Sequence, residues 1–181
     1  MMDFKELNEI TRKYMFDEFQ REEQGGNPYR SESMSSDGLA NVAQFVENAI
    51  KNGNEISLAN NLSNSSFWKP FTIVHRGSST HQRRINPTVA AKVFAQTEFN
   101  TWYVRGLAKK LMDEGISKCE IYRAEAAEQP RCECSRYEGQ EIDVKKIYDG
   151  HRAKYHPIEN NSAFSIPSGP NCHHAIRRLK K

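Results

Sequence analysis

The sequence has no long apolar run, and hydrophobic residues make up only 37% of its 181 residues. Because a helix needs roughly 18–20 consecutive apolar residues to cross a bilayer, we expect no membrane-spanning segment and no membrane partner. The N-terminus lacks the basic-then-apolar pattern of a secretion signal, so the sequence predicts a protein that stays in a reducing cytoplasm. The mean hydropathy of −0.80 predicts a modest core and much surface that is solvated or covered by partners.

The sequence also lacks a strong overall charge and the common catalytic signatures. The net charge of +3 is too small to indicate nucleic-acid binding by itself. Only the segment Arg177–Lys181 is locally basic, and it is either a solvated tail or a contact for phosphate or an acidic partner. No P-loop, GxGxxG or Ser–His–Asp pattern is present, so no standard signature of nucleotide binding or acyl transfer is found.

Hydrophobic periodicity predicts an α+β fold. Helices are expected over residues 3–23, from Ser36 or Asp37 to Gly53, and from Pro87 to about Asp113. An alternating strand is expected over 118–123, whereas residues 54–67 are ambiguous and 67–74 form a short strand or a packed loop. Gly139 suits a turn between two short extended pieces, and the chain from there to residue 170 is expected to be mostly loop.

These elements divide into a helical N-terminal region, residues 1–85, and a compact domain with one long helix, short strands and loops, residues 86–181. The break at Gly25–Pro28 and the Ser-rich linker over residues 30–37 would let the first helix swing away and dock on a partner. Its apolar stripe consists of Phe4, Leu7, Ile10 and Tyr14. In the alternative, this stripe packs on Leu39, Val42 and Val46 as a helical hairpin.

Two short polar loops, 130–134 and 170–174, hold three of the four cysteines and two of the six histidines. In a reducing compartment, closely spaced Cys and His residues indicate metal ligands before a disulfide. We therefore predict one structural zinc site. The predicted ligands are Cys132, Cys134, Cys172 and His174, with His173 or His156 as substitutes for His174. The alternative is free thiols in packed loops, and Cys119 on the strand is expected to be a buried small hydrophobe.

Two residues of the long helix stand out against their neighbours. Glu98 lies among apolar and small residues, so it is either a polar anchor for the cysteine-bearing loops or an ordinary exposed side chain. Gly106 in mid-helix costs about 1 kcal/mol relative to Ala, a cost that close packing of another backbone would offset. Trp102 and Tyr103 are expected in the core or in an interface.

Several of these motifs follow one another in a fixed order between Val89 and Leu179. They are Thr97–Glu98, Gly106, Gly115, the strand 118–122, Cys132 with Cys134, Gly139, and Pro170-Asn171-Cys172-His173-His174. In order and spacing they resemble the phage head morphogenesis family, the minor head proteins of tailed phages that include the F protein of phage Mu. Family members usually have Cys-x-x-Cys where this chain has Cys132-Glu133-Cys134, and many have a His where it has Gly169.

The resemblance implies a structural role without catalytic residues. It implies a minor head protein in the virion of a tailed bacteriophage, made in the cytoplasm of the bacterial host and associated with the capsid or portal region. Head assembly, DNA packaging or ejection are the processes in which such a protein would act. The implied partners are the portal, major capsid or scaffold protein, and packaged DNA is a further candidate.

An enzyme is the alternative interpretation. Asp149-Gly150-His151, His156 and the Cys172-His173-His174 cluster are loosely similar to an HNH-type nuclease, in which a His activates water against a metal-bound phosphate. Gly150 separates the expected Asp-His pair, and the closing cysteine pair is absent. A small zinc-bearing nucleic-acid-binding protein is the remaining alternative.

Overall fold

The computed structural model describes residues 1–76, 79–126, 134–152 and 164–179, with only the backbone for His75, Arg76 and Cys134. Within these residues the α+β prediction is confirmed. The helices are α1 (Glu9–Gln24), α2 (Ser36–Asn52), α3 (Glu55–Asn61), α4 (Pro87–Asp113) and α5 (Val144–Asp149). The strands are β1 (Phe71–Arg76), β2 (Ser79–Arg84), β3 (Lys118–Arg123), β4 (Glu141–Asp143) and β5 (His174–Arg178).

Side-chain caps fix where the helices begin. Asn8 accepts a hydrogen bond from the backbone N–H of Thr11, so α1 starts at Glu9 and not near residue 3 as predicted. Ser35 caps α2 one residue before the predicted positions. Asn86 caps α4 with Pro87 at its first position, as the sequence predicted.

The strands form two separate antiparallel sheets. One is the hairpin β1–β2, and the other has the order β4-β3-β5. Strand β5 pairs along β3 from Cys119 opposite Arg178 to Arg123 opposite His174. Helix α5 and strand β5 were not predicted from the sequence. The expectation that the chain between Gly139 and residue 170 is mostly loop is therefore wrong for α5, and residues 153–163 lie outside the described part.

Helix α4 is the centre of the core. Its Phe99, Trp102, Tyr103 and Leu107 are fully buried, which confirms the prediction for Trp102 and Tyr103. Buried residues from both predicted parts of the chain belong to one hydrophobic cluster. The boundary near residue 85 stays a prediction about folding units.

The first helix is not a detached docking arm. Met15 and Phe19 of α1 are buried, and Phe19 meets the Trp102 ring edge-on with centroids 5.4 Å apart. Phe4 packs on Tyr103 at 4.6 Å, whereas Ile10 is exposed. Helix α1 packs mainly against α4, so neither the swinging arm nor the predicted hairpin on α2 describes it correctly. The physical reason is that the buried face of α1 is centred on Met15 and Phe19, beside the predicted stripe.

In the described part of the chain, no helix has both the length and the apolar character that crossing a membrane requires.

Candidate functional site

The C-terminal cluster brings together three polar side chains. Cys172 Sγ lies 3.8 Å from His174 Nδ1, and His174 Nε2 lies 3.3 Å from Glu138 Oε1. Two ligands of one tetrahedral zinc ion are roughly 3.5 Å apart, so the Cys172–His174 separation suits a shared metal. A zinc-bound His commonly donates its other N–H to a carboxylate, and Glu138 is placed to accept that bond.

The local backbone explains why these groups meet. Asn171 has a positive φ of 60°, and the N–H of Cys172 donates to the carbonyl of Gly169, so the segment turns back just before β5. His174 is the first residue of β5, and Asn100 of α4 donates to its carbonyl at 2.7 Å. The pairing of β5 with β3 and α4 therefore holds one edge of the cluster.

The two ionisable groups of the cluster act on each other. Burial raises the pKa of the Cys172 thiol, but hydrogen bonds with His174 and Ser168 outweigh it, and the pKa falls from 9.0 to about 7. The bond with Cys172 raises the pKa of His174, although burial opposes this. The thiolate is the form of cysteine that binds a metal, and a thiol with this pKa is partly ionised near neutral pH.

The other predicted ligands are placed only in part. Cys132 and the substitute His156 lie outside the described residues, and Cys134 is described by its backbone, in a short 3-10 turn over Cys134–Arg136. Tyr137, three residues further on, packs edge-on against His174 with ring centroids 6.5 Å apart. Among the side chains that the structure describes, no three His, Cys, Asp or Glu residues form a metal site. The four-ligand site stays a prediction.

His173 and Cys119 have different surroundings. The Nδ1 atom of His173 is buried and has no hydrogen-bond partner among the described residues, which keeps it as a substitute ligand. Cys119 is fully buried on β3, as predicted, and burial raises the pKa of its thiol to about 12. Such a thiol stays protonated at neutral pH and acts as a small hydrophobe.

A second polar group lies inside the molecule around Glu98. Its Oε1 accepts hydrogen bonds from Trp102 Nε1 at 2.9 Å and from the Arg152 guanidinium at 2.6 Å, and its Oε2 accepts a third from Arg152 at 3.1 Å. Glu98 is thus a buried polar anchor, as one of the two sequence interpretations proposed. Among the described residues its donors are Trp102 and Arg152, whereas most of the 130–134 loop lies outside the described part.

Arg152 is the residue that sequence reasoning missed. It is almost completely buried, has a positive φ of 55°, and lies over the rings of Tyr29 and Trp102. Besides Glu98 it contacts Glu22 of α1 at 3.1 Å, so one guanidinium joins α1, α4 and the end of α5. A single Arg in a predicted loop gives no sequence signal for this role, because its partners lie far away in the chain.

His151, the candidate base of the nuclease alternative, belongs to the same group. Its Nε2 lies 2.9 Å from Glu22 Oε2, and its ring packs against Trp102. Burial lowers the pKa of His151 to about 3, so the imidazole is neutral and donates to the Glu22 carboxylate. Burial raises the pKa of Glu22, but its bonds with His151 and Arg152 bring it down to about 2. A His with so low a proton affinity is a poor general base at neutral pH.

The glycines of the resemblance also occupy constrained positions. A Cβ on Gly106 would lie 2.6 Å from the backbone nitrogen of Met15, so α1 and α4 approach as closely as glycine permits. This confirms the close-packing interpretation. Gly115 and Gly139 have positive φ values of 73° and 76°, which favour glycine in the turns they form.

A cavity of about 480 Å³ lies beside these groups. Its walls come from the segment after α1, the N-terminal half of α4, the hairpin and the turn before Cys172. Lining residues include Tyr29, Trp68, Arg83, Phe94, Glu98 and Asn171.

The chain shows no significant match to any protein-family model, curated protein or solved structure with which it was compared. The resemblance to the phage head morphogenesis family stays a prediction from the motifs.

Proposed function

We propose that this chain is a structural minor head protein of a tailed bacteriophage, associated with the capsid or portal region of the virion. The observation that carries the proposal is the placement of the motif residues. Glu98 is a buried anchor, Gly106 permits a close helix contact, and Gly115 and Gly139 form turns. These four motif residues serve the fold, which supports a building block more than a catalyst.

The Cys/His cluster fits the same role. A zinc ion held by Cys132, Cys134, Cys172 and His174 would join the segment before β4 to β5, and it would supply folding free energy there. Cys172 and His174 hold one side at a separation that suits this, and Glu138 orients the imidazole. The role of the metal is structural in this proposal, with no catalytic step.

The proposed partners are the portal, major capsid or scaffold protein of the same phage, with head assembly, DNA packaging or ejection as the process. The test is incorporation into particles. A tagged copy is expressed during growth of a phage that encodes this chain, and heads are purified by density gradient and analysed by mass spectrometry.

We expect the wild-type chain and the variant Cys119→Ala to copurify with portal and capsid proteins. Cys172→Ser should be incorporated less, because it loosens the proposed clip. A chain that is abundant in the lysate but absent from purified particles would contradict the proposal.

A further inference from the structure

The hairpin β1–β2 projects from the rest of the molecule. Its strands pair fully with each other, from Phe71 opposite Arg84 to Arg76 opposite Ser79. Among the described elements, neither strand packs substantially against any other helix or strand. Every side chain of β2 is exposed, and Phe71 and Ile73 of β1 are 50% and 62% exposed. The hairpin thus adds surface without adding core.

The segment that contains the hairpin carries the net positive charge of the chain. Between Glu55 and Glu98 the sequence has no Asp or Glu, but it has Lys69, Arg76, Arg83, Arg84 and Lys92, together with two His residues. This segment therefore contains five of the 26 Lys and Arg residues and none of the 23 Asp and Glu residues. The rest of the chain contains 21 Lys and Arg residues and all 23 acids. The net positive charge of the molecule comes from this segment.

Four of these five cations are exposed. Lys69, Arg83, Arg84 and Lys92 are all exposed, and in the described part of the chain no carboxylate forms an ion pair with Arg83 or Arg84. By contrast, Arg177 and Arg178 at the C-terminal end are paired with Glu120 and with Glu6 and Glu114. The predicted basic tail is therefore strand β5 over these two residues, whereas the hairpin holds exposed cations.

The chemistry of β2 distinguishes between two kinds of partner. Its residues Ser79-Thr80-His81-Gln82-Arg83-Arg84 are all polar or cationic, whereas the centre of a protein–protein interface is mostly apolar and aromatic. Arg, Ser, Thr and Gln are the side chains that contact DNA phosphates, and a two-stranded ribbon fits the major groove. The base of the hairpin leads into the N-terminus of α4, whose helix dipole adds positive potential there.

We propose that the β1–β2 hairpin is a binding arm for duplex DNA, held mainly by phosphate contacts from Arg83, Arg84 and Lys69. Because this attraction releases counterions, binding should weaken steeply with salt and depend little on sequence. Such binding follows from the charge and shape of the hairpin and its base, and it does not depend on the proposed place in a phage head.

The test is fluorescence anisotropy of the full-length protein with a labelled duplex of about 20 base pairs, titrated between about 50 and 200 mM NaCl. The variant Arg83→Gln/Arg84→Gln should bind about 10-fold more weakly at about 100 mM salt, and its log–log salt slope should be smaller by about 1.8. Arg84→Gln alone should change the slope by about half as much.

The matched control is Lys13→Gln/Lys118→Gln, which removes the same charge from exposed positions outside the hairpin. It should bind like the wild type. The inference is overturned if the wild type does not bind DNA, or if both double variants lose affinity equally. It is also overturned if polyglutamate binds the hairpin as tightly as DNA, since that result indicates an acidic protein partner. Binding to DNA without incorporation into particles would keep this inference and reject the proposed function.

Discussion

At the scale of single residues, Arg152 is the cation that links Glu98 and Glu22 in the interior polar group. Its positive φ is costly for a side chain with a Cβ, and its burial removes a charge from water. Two carboxylates, Glu98 and Glu22, offset the second cost through charge-assisted hydrogen bonds. Glu98 thereby fixes the chain beyond α5 against α4, which gives the motif glutamate a structural purpose.

His151 makes the stability of the fold depend on pH. Its pKa is about 3 in the folded protein against 6.5 when exposed, so the unfolded state binds a proton first as the pH falls. Stability should therefore decrease from about pH 6.5 downward, by up to about 1.4 kcal/mol per pH unit. The depressed pKa of Glu22 acts in the same direction, but only below about pH 4.5.

Urea unfolding at pH 7 and pH 5 measures this contribution. Between pH 7 and pH 5 the free energy of unfolding should fall by up to about 2 kcal/mol more in the wild type than in His151→Gln, because the other titrating groups are common to both. His81→Gln, at an exposed position, should keep the wild-type dependence. An equal pH dependence in wild type and His151→Gln would show that His151 is not buried as a neutral imidazole.

At the scale of elements, the contact between α1 and α4 organises the core. Met15 packs over Gly106, and Glu18, also buried, accepts a hydrogen bond from Arg105 at 2.6 Å. The same Glu18 accepts from Tyr148 of α5. Helix α1 is therefore tied to two other helices through one apolar contact and one buried carboxylate.

Gly106→Ala tests this contact. In an ordinary helix interior this change stabilises by about 1 kcal/mol, but here the new Cβ meets the Met15 backbone at 2.6 Å. We expect the free energy of unfolding to fall by about 2 kcal/mol, since the two helices must move apart. Thermal and urea unfolding measure it, with Gly25→Ala at the end of α1 as a control that should change stability by less than about 0.5 kcal/mol. A stabilised Gly106→Ala protein would disprove the close approach.

Particular residues explain which elements could be predicted from the sequence and which could not. Helix α4 was predictable because Asn86-Pro87 starts it and its apolar face repeats over 27 residues. Helix α5 has six residues, too few to show a period, and β5 contains Arg177 and Arg178, whose partners lie on other elements. Cys172 and His174, selected as metal ligands, lie 3.8 Å apart, and their metal role stays a prediction. Arg152 was not identified because its acids lie on α1 and α4.

At the scale of the whole molecule, the beginning and the end of the described chain meet at the three-stranded sheet β4-β3-β5. The N–H of Asp3 donates to Ala124 after β3, and the N–H of Arg178 on β5 donates to Glu6. The Glu6 carboxylate also forms an ion pair with the Arg178 guanidinium. A clip at the Cys/His cluster would secure β5 from the opposite end of the strand.

Native mass spectrometry of the purified protein shows whether the Cys/His cluster is a structural, metal-binding part of the fold. We expect one zinc ion per chain, retained in Cys119→Ala and lost in Cys172→Ser together with a lower melting temperature. A metal-free wild-type protein whose melting temperature is unchanged in Cys172→Ser would show that the cluster holds no structural metal.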